Sequence, residues 1–146
     1  MNIIYLDYLI TLAWSRGIDV KFVSGNDPHL HGGKGAIVFN TDEAAEKPFT
    51  MYIRESLSEF EKRQWITFEW GWLEIKSGGR VLTKAERAAK ARIWAYEFLI
   101  PREQLKMLTK LIPDCQQIAD IYRVPIGFII GACKHYQIEI SKGAIA

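Results

Sequence analysis

The sequence predicts a single α+β domain: an N-terminal helix, a small three-stranded sheet and a mostly helical C-terminal half. Three observations carry that reading. A helical apolar stripe is followed by three short β-rich runs within the first 55 residues. Two S/T-x-x-E capping boxes then open long helical stretches. The 146-residue length, with 49% hydrophobic and 25% charged residues, suits one core of ordinary globular composition.

Taken in order, residues 2–16 place Ile3, Leu6, Ile10, Ala13 and Trp14 on one stripe, and Gly17 supplies a stop. Residues 18–23, IDVKFV, alternate as a half-buried strand does. SGNDPHLHGGKG reads as a loop, and AIVFN and FTMYI are two further strands joined by the polar TDEAAEKP. Ser58 with Glu61 and Thr83 with Glu86 start two helices, which Gly78-Gly79 separates. Pro101 ends the second of these or starts the next. Pro113-Asp114 opens a further helix, and Val124-Pro125 divides it from a last one ending near Tyr136. One segment is ambiguous. In ITFEWGW, residues Ile66, Phe68, Trp70 and Trp72 alternate with Thr67, Glu69 and Gly71, so strand and helix both remain open there.

Charge and cysteine usage narrow the function classes. Lys and Arg number 19 against 17 Asp and Glu, a net charge of +2, with no clustered excess of the kind a nucleic-acid footprint shows. No apolar run reaches the ~18 residues of a membrane span, and the N-terminus lacks the basic flank of a signal peptide. A cytoplasmic location is expected. Cys115 and Cys133 stand apart from any metal-ligand spacing and read as buried free thiols, with a regulatory disulfide as the other reading.

The stretch MYIRESLSEFEKRQWITFEWGWLEI resembles the active-site region of the ImmA/IrrE-type metallopeptidases. Glu61, Lys62 and Arg63 match the opening of the family's E-K-R-F-T-L-A-H-E-L-G-H helix. Glu69 matches the Glu of H-E-x-x-H, and Gly71 the Gly before the second His. Downstream, ERAAKARIWAYEFLIP is similar to the family's E-x-E-A-N-x-F-A-A-E-L-L-M-P through Trp94, Ala95, Glu97, Leu99 and Pro101. CQQIADIYRVP and the opening RGIDVKFV are similar to its closing and starting segments, so the resemblance runs through nearly the whole chain. It implies a zincin-like scaffold over residues 1–146, with helix plus sheet in 1–55, active-site helices in 56–100 and C-terminal helices in 101–146. It also implies that the ambiguous segment is helical.

The departures from the family pattern decide the chemistry. H-E-x-x-H places two imidazoles on one helical face to hold Zn²⁺ while the Glu activates its water. Here the two histidine positions are Phe68 and Trp72, neither of which has a lone pair for a metal. A gap-free alignment to Pro101 puts Ala88 at the family's third ligand, with Glu86 two residues away. Glu69 is then a vestigial general base, either paired with Arg63 or Lys76 or solvated, or else part of a remodelled partner-binding cleft. Trp65, Phe68 and Trp72 fall on one helical face in this reading. They either close the old cleft as core or form an aromatic partner-binding surface.

Other candidates read as structure. His29 and His31 form an H-x-H pair on a loop, read as solvated with an adventitious metal site as the other reading, and His135 caps the last helix. GGKG lacks the phosphate-loop pattern. Residues 114–136 have a helix-turn-helix rhythm, but the second helix offers Ile126, Phe128, Ile129, Ile130 and Cys133 where base-reading side chains would stand. Direct DNA binding is not expected.

What the resemblance implies is a non-catalytic regulatory protein of a phage or mobile element, with no cofactor. It would bind a partner such as a helix-turn-helix repressor and act by sequestration. Two readings stay beside it. One is an active metallopeptidase with an unconventional site drawn from Glu69, Glu86 or Glu97 and the loop histidines. The other is a phage inhibitor of a host defence protein.

Overall fold

A computed structural model describes residues 3–140, and residues 141–146, assigned above to the C-terminal helices, lie outside it. The first helix, α1 (Leu6–Ser15), is shorter than the apolar stripe suggested: Ile3, Ile4 and Tyr5 precede it in non-helical backbone. The shorter start changes the buried face. Leu9 and Ala13 are fully buried, whereas Trp14, expected on the stripe, is 40% exposed with the Lys47 ammonium 4.6 Å over its ring. Gly17, at φ +89°, then turns the chain into β1 (Ile18–Val23), a conformation glycine adopts without a Cβ penalty.

The sheet also contains β2 (Gly35–Phe39) and β3 (Phe49–Arg54). Its order is β1-β3-β2, with β3 parallel to β1 and antiparallel to β2. The central strand turns Met51 and Ile53 into the core. Gly35 and Ile37 pair with Ile53 and Met51, so those β2 residues share the core-facing side. A 3₁₀ turn over Pro28–Leu30 buries Leu30 inside the loop before β2.

The ambiguous segment is helical. It belongs to α2 (Glu59–Glu74), whose capping box is complete: the Glu61 amide donates to Ser58 Oγ at 3.2 Å, and the Ser58 amide to Glu61 Oε1 at 3.3 Å. The blurred period has a packing cause. This helix packs on the sheet, on α1 and on the helix that follows it at once, so it buries Arg63, Ile66, Thr67, Glu69, Trp70 and Gly71 rather than one stripe. Helix α3 (Lys84–Leu99) starts at a second complete capping box on Thr83 and Glu86. A Cβ on Gly71 would lie 2.5 Å from the Ala91 carbonyl oxygen, so glycine is what lets α2 and α3 meet backbone to backbone.

Helices α4 (Arg102–Leu111), α5 (Cys115–Tyr122) and α6 (Ile126–Tyr136) close the chain. With α3 they form one hydrophobic cluster; α1, the sheet and α2 form the other. Cys115 and Cys133 are buried free thiols in the first of these, and burial pushes the Cys133 thiol up to about 11. The helix-turn-helix rhythm appears as α5, a turn at Arg123 in left-handed backbone, and α6 with Phe128, Ile129, Ala132 and Cys133 buried. No helix among the described residues is long and apolar enough to cross a membrane.

Candidate functional site

Between β2 and the C-terminal half of α2 lies an open cleft of about 490 Å³. Its walls come from β2, from Leu30, His31 and Phe49, from Trp72 and Leu73 of α2, and from Arg87 of α3; Glu69 lines it as well. Glu69 reaches this position because residue 35 has no side chain. A Cβ there would stand 3.0 Å from Glu69 Cγ and 3.1 Å from Ile53 Cδ1.

Glu69 is only 9% exposed, accepts no hydrogen bond from a described residue, and pairs with neither Arg63 nor Lys76. Burial alone raises its pKa from 4.5 to about 7. It is therefore a carboxyl poised to change charge near neutrality, at the wall of a solvent-reached cleft. Such groups concentrate at sites that bind or react.

The other residues singled out in the sequence scatter. Phe68 turns away from the cleft: it stacks on Phe128 at 5.8 Å and meets Tyr96 edge-on at 6.4 Å, against the C-terminal cluster. Trp65 touches Phe68 at 5.7 Å and packs against the sheet-side cluster. Trp72 lines the cleft, with the Arg87 guanidinium carbon 5.5 Å over its ring. The three aromatics are thus not one surface, because helical offsets of three, four and seven residues here face three different neighbours. Ala88 is half-buried and is not a wall of the cleft; the α3 side chain that reaches it is Arg87.

The residues present do not fit a catalytic zinc. That ion takes three protein ligands and an open position. Glu69 and His31 are the metal-capable side chains lining this cleft. Glu86 is held by its capping box and by Arg80 at 2.7 Å. Glu97 pairs with His135 at 2.9 Å, so that histidine has a carboxylate partner rather than a simple capping role. His29 bonds Asp27 at 2.8 Å and stacks on Tyr52 at 4.0 Å. Among the described residues no three His, Cys, Asp or Glu side chains gather in metal-binding range.

Sequence reasoning missed three parts of the site: the outer edge of β2, Phe39 at its end, and Arg87. Phe39 is 65% exposed yet borders the cleft, edge-on to Phe49 at 5.5 Å. As an edge strand, β2 presents every second N–H and C=O away from β3, and no strand covers them among the described residues. The glycine run GGKG, discounted as a phosphate loop, was the available signal, since Gly35 is its last residue.

The family model of the IrrE N-terminal-like domain matches residues 17–133. Searches of the curated proteins and of the solved structures return no match. That match covers β1 through most of α6, and with it both walls of the Glu69 cleft. The chain belongs to the IrrE N-terminal-like domain family.

Proposed function

We propose that this chain is a non-catalytic member of its family, one that grips an extended segment of a partner protein in the Glu69 cleft and does not cleave it. The observation that carries the reading is the composition of the cleft. Among the described residues, its one carboxyl stands beside an uncovered strand edge, with apolar and aromatic walls and no set of donors for a metal. A peptide added to β2 gains main-chain hydrogen bonds from the strand and burial from Ile37, Phe39 and Trp72. With its pKa raised to about 7, Glu69 in its protonated form can donate to a peptide carbonyl.

The regulatory role follows from the family resemblance in the sequence. The partner is a helix-turn-helix repressor of the same phage or mobile element, and the chain removes it from its operator by sequestration. A host defence protein as the partner would use the same cleft and the same chemistry.

The test is an affinity capture from bacterial cytosol, with and without EDTA, in which mass spectrometry reads the length of whatever is retained. One intact partner recovered equally in both conditions is the expected result. Partner fragments that appear only without EDTA, together with stoichiometric zinc in the purified chain, would overturn the reading in favour of an unconventional metallopeptidase.

A further inference from the structure

Charge is arranged differently on the two faces of the sheet. The acids of the β2–β3 connection, Asp42 and Glu46, line a separate hollow on the face opposite α2 with Asp19, where Lys21 and Lys47 stand among them. The cleft face carries Arg87 and His31 among its walls, and Lys34 stands at the entry to β2 with its ammonium 5.9 Å over the Trp65 ring. Neither Arg87 nor Lys34 makes an ion pair with a described residue. Each of these two cations instead rests on a tryptophan, a shelf that holds it in place while leaving its hydrogen bonds unspent. The sole acid of the cleft among the described residues, Glu69, is 9% exposed.

We infer that the occupant of this cleft is an acidic extended segment of a partner protein, laid along the outer edge of β2 with carboxylates facing Arg87 and Lys34. The inference rests on the binding reading above and adds to it the chemistry of the partner. In an added strand successive side chains alternate in direction, so acidic and apolar residues at a period of two would meet the cations and the aromatic walls together. Arg87 suits the task because its planar fork matches a carboxylate on two bonds while its face stays on Trp72.

The experiment is a selection of random ten-residue peptides displayed against the full chain, repeated with R87E. Individual peptides are then measured by fluorescence anisotropy at two salt concentrations. Arg87 is exposed, so R87E is expected to melt within a degree or two of the parent, which a thermal scan checks. Expected are peptides enriched in Asp and Glu at alternate positions, losing about tenfold in affinity on R87E and more weakly bound at high salt. The R87E selection should then turn toward Lys and Arg. Binders that quench Trp72 but show no acidic enrichment would overturn the acidic partner and leave the binding cleft standing. Binders that ignore Trp72 and β2, or none at all, would overturn both. A chain that doubles its mass in a concentration series and then excludes peptides would assign the edge to a second copy and overturn the inference as well.

Discussion

Two charged side chains on the same helix, six residues apart, are both buried and are treated in opposite ways. The Arg63 guanidinium is 1% exposed, and every arm is used: it donates to the carbonyls of Ile4, Tyr122 and Arg123, the Nε bond to Ile4 measuring 3.0 Å. It ties the segment before α1 to the end of α5. Burial, with Arg123 adding to it, lowers its pKa to about 10, still far above neutrality. Glu69 is nearly as buried and has no hydrogen-bond or ion-pair partner among the described residues. A charge whose bonds are all met within the fold is architecture. One left unmet beside an open cleft is a group kept available for something outside the chain.

The contrast can be broken from the Arg63 side with the largest effect. Arg63→Met leaves three backbone carbonyls without their donor and should cost about 3–5 kcal/mol in a denaturant melt. A loss below 1 kcal/mol would mean that the clamp is incidental. Phe68→Ala should cost about 3 kcal/mol, because the ring fills the contact between α2 and α6. For the same reason the double variant F68H/W72H should lose stability and still fail to bind zinc stoichiometrically. A metal titration by calorimetry reads that directly.

On the Glu69 side the sign reverses. Its pKa is higher folded than unfolded, so the native state holds the proton more tightly. Stability should therefore fall as pH rises from about 4.5 to about 7 and level off above that. Glu69→Gln removes this contribution to the slope and should gain at most on the order of 3 kcal/mol at pH 8, with no gain at pH 4. Paired melts at the two pH values check it. Trp72→Ala should be the mildest change to the fold, about 1 kcal/mol or less, since the ring is a wall of an open cleft, while weakening any captured partner strongly.

Much of the architecture was legible because it rests on local chemistry. The capping boxes at Ser58 and Thr83, the strand alternation of residues 18–23 and the stop at Gly17 act within a few residues of chain. Illegible features depended on distant neighbours. The face of α1 was misplaced by taking its start too early, which put Trp14 inside and passed over Leu9. The alternation in ITFEWGW has no meaning in a helix buried on several sides. Ala88 was a choice of register along α3, and only the packing of Gly71 on Ala91 decides that Arg87 is the residue turned to the cleft. Arg63 was legible as a match to a motif but not as a clamp, because the carbonyls it holds lie 59 and 60 residues away.

The most direct test of Glu69 as a metal-free carboxyl facing an open cleft is its own titration. It can be followed by carbon-13 NMR of selectively labelled glutamate, with Glu69→Gln for assignment, before and after one equivalent of Zn²⁺. A midpoint near 7 that zinc leaves in place is the expected result. A midpoint at the ordinary 4.5, or one that zinc drives sharply downward, would contradict it by revealing a hidden partner or a bound metal.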